Sequence, residues 1–169
     1  MKPWPFIKKT YVKVLSVIPA LLLLSFIFGF SAQTGEDSGS LSFHLSLFLV
    51  RLFSPIFPAA DTNELLIARA EAIHLLIRKL AHITEFFLLM LSIYLPIHTF
   101  RKNTSSFYGR IVLCFCLSVL CAFFDEFHQS FVDGRSGNLP DVLIDSIGIL
   151  LASILLILSY HNKGKRAAR

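Results

Sequence analysis

Arg78, His82 and Glu85 follow one another at i, i+4 and i+7, a spacing that places a cation, an imidazole and a carboxylate on one face of a helix. Lys79 stands beside them. Further along, Asp125, His128 and Gln129 stand at i, i+3 and i+4 with Glu126 in a neighbouring direction, and Asp141 and Asp145 again at i and i+4. His82 with Glu85, and Asp125 with His128, give one imidazole and one carboxylate on each of two helices, the arrangement from which divalent-metal sites are built between bundle helices. Asp141 or Asp145 is available to complete such a site, and the ion would activate water against a lipid-linked phosphate or ester. Without a metal, His128 oriented by Asp125 or Glu126 suits general-base catalysis. Arg78, Lys79 and Arg135 suit a different task, binding of an anionic or polar group, with His82 and the carboxylates holding the basic side chains in place. Packing alone accounts for part of the set, because ion pairs of Arg78 with Glu85, or Arg135 with Asp141, would also fix helix register.

The elements that hold these groups are built for lipid. Of 169 residues, 54% are hydrophobic, 17 are Phe and only 16% are charged, whereas a water-soluble chain carries about a quarter. The expected fold is an all-α integral membrane protein, a bundle of four transmembrane helices in one domain over residues 1–169, with an interfacial or re-entrant segment after the first helix. The spans are expected at about 13–32, 79–98, 108–126 and 141–160, each apolar enough to cross ~30 Å of hydrocarbon. Leu41 to Phe53 reads as too short to span, broken by His44 and Arg51 and closed by Pro55 and Pro58, after a loop from Gln33 to Ser40. Asp61 and Glu64 resemble a capping pair that starts the helix leading into the second span, which has Pro96 near its end. Asn138 and Pro140 announce the fourth. A cleaved secretory signal would imitate the layout up to Ala32, but its apolar core is ~7–15 residues and this one is longer.

Basic residues set the orientation. The amino terminus (Lys2, Lys8, Lys9, Lys13), the second connection (Arg101, Lys102, Arg110) and the tail over 161–169 (Lys163, Lys165, Arg166, Arg169) hold 11 of the 16 Lys and Arg. The positive-inside rule places that side, with both termini, in the cytoplasm. All 11 acids fall on the other side or at the span ends that face it, so the polar pocket opens outward. The basic stripes read as topology signals and anionic-lipid anchors, with no nucleic-acid role. His44, His74, His98 and His161 read as interfacial or cytoplasmic polar residues. Cys114, Cys116 and Cys121 share one apolar run, which excludes a disulfide framework and marks them as packing residues. The chain has no nucleophile elbow, phosphate-cradling loop or nucleotide fingerprint, which argues against ATP-driven transport.

Phe30-Ser31-Ala32-Gln33 with Ser38, Arg78-Lys79-Leu80-Ala81-His82 with Glu85-Phe86, Asp125-Glu126-Phe127-His128-Gln129 with Phe131, and Arg135-Ser136-Gly137 with Asp141, Asp145 and Gly148 together resemble the signature of VanZ-like membrane proteins. The resemblance covers nearly all of the chain after the first turn of span one, and the Asp-Glu-x-His-Gln block followed by Arg-x-Gly and Asp is its most specific part. Asp145 stands where Asn is more usual in that family. The resemblance implies a polytopic protein of the bacterial cytoplasmic membrane, whose namesake is associated with resistance to the lipoglycopeptide teicoplanin, and it adds Ser31 and Gln33 to the candidate ligand-binding residues. Two classes of function follow: an envelope factor whose pocket binds membrane lipid, the acyl-bearing drug or a lipid-linked cell-wall precursor, and an intramembrane hydrolase or transferase, metal-dependent or not, acting on a lipid-linked envelope substrate. A proton-coupled carrier using His82 and Glu85 ranks third, since four spans without internal repeats would need to dimerise.

Overall fold

The computed structural model describes residues 11–56, 62–101 and 105–167, and among these every long element is helical. Helix α1 is Ile18–Ser31, α2 Gly35–Phe53, α3 Asn63–Arg101, α4 Phe107–Gln129 and α5 Leu139–Ala167; a short 3-10 helix, Ser54–Ile56, extends α2. Pro58 and Asp61, the expected first cap residue of α3, lie outside the described residues, as do Lys2, Lys8, Lys9, Lys102 and Arg169 of the charge pattern.

Among the described residues, five helices are long and apolar enough to cross a membrane, one more than the sequence reading expects. The difference lies in α2. Thr34 caps it, its hydroxyl accepting from the Asp37 amide at 3.1 Å, and Glu36 and Asp37 favour the positive end of the helix dipole. The polar run from Gly35 to Ser40 therefore becomes the first turns of a 19-residue helix where a loop is expected.

The second difference is length. Helix α3 runs 39 residues without interruption, about 58 Å at ~1.5 Å per residue, nearly twice the thickness of a bilayer core. Pro96 lies inside it and removes one backbone donor, which a helix in lipid tolerates where neighbouring groups compensate. Ile27 of α1 is buried in one cluster with Phe86, Leu89 and Met90 from the second half of α3. Leu41 and Leu45 of α2 line a cleft with Ile77 and Ala81, and Leu49 and Phe53 line a groove with Arg69 and Ile73. Helix α2 is thus antiparallel to the first half of α3, and α1 lies against the second half.

Helices α1, α4, α5 and the second half of α3 share the core, in which Phe86, Leu89, Met90, Cys114, Ala122, Ile149 and Ala152 are fully buried. Leu22, Val112, Phe124, Leu143 and Leu150 point outward, an apolar exterior suited to lipid. Helices α3 and α5 approach each other closely. A Cβ at Gly148 would run into the Ile83 carbonyl oxygen and press on the Phe87 amide, so only glycine lets the two backbones meet. Gly148→Ala is expected to lower stability by ~1–3 kcal/mol through overpacking. Gly29→Ala, where a Cβ meets nothing within 4 Å, should be neutral or stabilising by up to ~1 kcal/mol. Unfolding midpoints of the two variants in detergent check the contrast; equal shifts would refute the close contact.

Candidate functional site

The Gly148 contact sets the register one turn higher. There it brings His82 of α3 to Asp145 of α5, with Nδ1 3.6 Å from Oδ1. Glu126 of α4 supplies the third group, and one ligand atom from each of His82, Glu126 and Asp145 lies within 4.8 Å of the others. One Glu126 oxygen, Oε2, accepts the Asn138 amide at 3.1 Å, while Asn138 Oδ1 accepts the Asp141 amide at 3.1 Å and so caps α5. Asp145 is 1% exposed, and its Oδ2 has no hydrogen-bond partner among the described residues. A buried polar atom left unpaired is unusual enough to require a reason.

Beside this cluster lies a second network, centred on Arg135. Its Nη1 donates to Gln129 Oε1 at 3.0 Å and its Nη2 to the Phe30 carbonyl at 3.0 Å. Gln129 Nε2 in turn donates to Asp125 Oδ2 at 2.8 Å and to Ser31 Oγ at 3.3 Å. Ser31, Asp125 and Gln129 are all buried. Burial pushes the Arg135 guanidinium pKa below its ordinary value, and neighbouring Arg78 adds to this, against the attraction of Asp125, Glu126 and Glu85; a guanidinium stays charged even so. The loop that presents Arg135 turns at Gly134, whose φ of 71° favours glycine. It is tied to the start of α2 by the Gly35 amide donating to Asp133 O at 2.9 Å.

Two clefts flank the networks. The first, about 130 Å³, lies between α1, α2 and α3 and is lined by Phe30, Leu41, Leu45 and Ile77 on its apolar side and by Ser31, Arg78, His82, Glu85 and Arg135 on its polar side. The second, about 180 Å³, is lined by Arg78, Lys79, His82, Glu126, Gln129, Arg135, Asp141 and Asp145. Arg78, His82 and Arg135 form the wall common to both. Lys79 pairs with Asp141 at 3.1 Å across the rim of the second cleft, an exposed pair of small energetic value.

Eleven of the thirteen candidate residues are therefore gathered around one site, and two are not. His128 is exposed and its ring lies 6.1 Å from that of Phe28. The buried stripe of α4 runs through Cys114, Ser118, Ala122, Asp125, Glu126 and Gln129, and at ~100° per residue this carries Glu126 inward and His128 out of the pocket. Gln33 lines a separate shallow groove with Asp37, Ser40, Leu41 and His44, because the chain turns there from α1 into α2. Neither Arg78 with Glu85 nor Arg135 with Asp141 forms an ion pair among the described residues; Lys79 takes Asp141, and Arg135 turns to neutral acceptors. Ser42, absent from the sequence candidates, lines the first cleft. Its signal was the run Ser38, Ser42, Ser46 at i, i+4, i+8, whose last two hydroxyls bond back to carbonyls one turn earlier and mark a small-residue face of α2.

A family model described as VanZ/LLP1 matches residues 16–160. No curated protein and no solved structure matches the chain.

Gln129 joins Arg135 to Asp125, so its loss strands both a donor and a buried carboxylate. Gln129→Ala is expected to destabilise by ~1–3 kcal/mol. Combined with Arg135→Ala, the loss should fall short of the sum by ~0.5–3 kcal/mol, while exposed His128→Ala stays within ~0.5 kcal/mol of wild type. Denaturant unfolding of the four variants in detergent checks this; strict additivity of the Gln129 and Arg135 effects would disprove the network.

Proposed function

This chain belongs to the VanZ/LLP1 family, and from that premise we propose that it is an envelope factor of the bacterial cytoplasmic membrane whose outward-facing pocket binds an anionic, lipid-bearing ligand. The observation that carries the proposal is Arg78. It stands in the wall common to both clefts, and among the described residues no carboxylate pairs with its guanidinium and no acceptor bonds it. A half-buried guanidinium whose donors no protein acceptor takes up is free to receive phosphate or carboxylate oxygens of a ligand through two parallel hydrogen bonds. Phe30, Leu41, Leu45 and Ile77 beside it supply an apolar wall for an acyl or isoprenoid chain. Lipid-linked cell-wall precursors and teicoplanin-type lipoglycopeptides both combine these features, and raised tolerance to such drugs is the proposed consequence.

The membrane arrangement completes the proposal. Four helices, α1, α4, α5 and the second half of α3, cross the bilayer with both termini in the cytoplasm. Helix α2 and the first half of α3 form a hairpin on the outer side, because α2 packs on α3 beyond the level at which the other helices end. A second reading, a hydrolase or transferase acting on a lipid-linked envelope substrate, is favoured by the approach of His82 to Asp145 at 3.6 Å, an imidazole beside a carboxylate in the lining of the second cleft.

Two outcomes are expected. In a teicoplanin-sensitive Gram-positive host, wild type should raise tolerance to teicoplanin and leave vancomycin, which lacks the acyl chain, unaffected; Arg78→Ala at matched membrane level should abolish the gain. Equal tolerance in the Arg78 variant removes the pocket from the role. For topology, single cysteines in a Cys-free background should be labelled by an impermeant thiol reagent in intact cells at Ser54→Cys and Ser136→Cys, and at Ser105→Cys only after permeabilisation. Labelling of Thr34→Cys and Ser54→Cys, at the two ends of α2, from opposite sides of the membrane would make α2 a fifth crossing.

A further inference from the structure

We infer that His82 Nδ1, one Glu126 oxygen and Asp145 form a binding site for a single divalent first-row metal ion, with Mn2+ and Zn2+ as the ions best matched to its donors. The three groups come from three helices, α3, α4 and α5, and each offers a ligand atom within 4.8 Å of the others. At ~2.1 Å per bond, the edge of a tetrahedral site is about 3.4 Å. The 3.6 Å between His82 Nδ1 and Asp145 Oδ1 is close to that length, and a Glu126 oxygen lies within 4.8 Å of a ligand atom of each. One imidazole with two carboxylates selects transition ions over Mg2+ and Ca2+, which prefer oxygen throughout.

Two independent observations point to an ion. The first is the unpartnered Asp145 Oδ2, on a side chain only 1% exposed that lines the second cleft. The second is charge. Around the two clefts and the Gln129 network stand five carboxylates, Glu85, Asp125, Glu126, Asp141 and Asp145, against three cations, Arg78, Lys79 and Arg135. With His82 neutral, their formal sum is −2, which one divalent ion cancels. Burying such an excess within an apolar bundle is costly, and a resident cation removes the cost. The Glu126 oxygen bonded to the Asn138 amide fixes the carboxylate from behind, as ligand carboxylates are commonly held.

Three protein donors leave coordination positions facing the second cleft, where Arg78 and Arg135 stand. A phosphate or carboxylate oxygen of the bound ligand, or a water molecule polarised by the ion, fits there. The inference uses the same pocket as the proposed function and deepens it, but the ion's presence does not depend on which lipid occupies the pocket.

The test uses the full chain purified in detergent, stripped with EDTA and titrated with Mn2+ (by electron paramagnetic resonance) and separately with Zn2+ (by equilibrium dialysis). One equivalent of either ion is expected, with a rise in the thermal unfolding midpoint. Asp145→Asn should weaken affinity by ~100-fold or more, since even changes that only misorient a ligand weaken binding ~10–100-fold. Its amide is isosteric, and its metal-free midpoint should equal or exceed that of stripped wild type, which separates lost binding from lost fold. Asp141→Asn should retain affinity within ~10-fold, and Arg78→Ala should still bind the ion while losing drug tolerance. No binding by folded wild type, or unchanged affinity in Asp145→Asn, overturns the metal site alone; ion binding without any drug phenotype overturns the proposed ligand instead.

Discussion

Everything at the end of the bundle that carries the site depends on the Arg135 guanidinium. In one planar group it reaches the last turn of α1 through the Phe30 carbonyl and the last turn of α4 through Gln129, while its own loop is bonded to the first residue of α2. Four chain segments that would otherwise splay at the lipid boundary are thereby held around one positive charge. That charge also makes Asp125 tolerable. A carboxylate 0% exposed needs compensation close by, and it receives it through the Gln129 amide with Arg135 one step behind.

The site in turn needs the helices to approach more closely than most side chains permit. Gly148 against the Ile83 carbonyl does this on the α3 and α5 side, with Ala152 fully buried below it. In lipid no hydrophobic force presses helices together, so small residues and interhelical polar contacts must do so. Here the two are stacked: small residues in the lower turns, then His82, Glu126 and Asp145 above.

The sequence made the site legible where spacing alone decides it. Arg78, His82 and Glu85 do share a side of α3, and Asp141 and Asp145 do lie one turn apart at the head of α5, capped by Asn138 as its place before Pro140 suggests. Helix α4 was harder because two inward phases are possible. Following Cys114, Ser118 and Cys121 leads to Asp125 and His128, whereas following Cys114, Ser118 and Ala122 leads to Glu126 and Gln129. Cysteine and alanine are both small, so composition does not choose between them; the packing against α3 and α5 does. Helix α2 departs from expectation for another reason, since Gly35, Ser38, Gly39 and Ser40 have loop-like composition and only the Thr34 cap with its following acids signals a helix. Family membership, by contrast, is carried by motifs spread along the whole chain, and was recognisable without any coordinates.

Helix α3 has one further property. Because its 39 residues form a single unbroken rod, the direction faced by the hairpin with α2 and the direction faced by His82 are two readings of one rotational phase. One residue inserted above Arg78 would turn the hairpin by ~100° about the rod while His82 and Glu85 keep their direction, and four would restore it to within ~40°. The pocket wall that α2 contributes, Leu41 and Leu45, is therefore aimed by counting residues along a different helix.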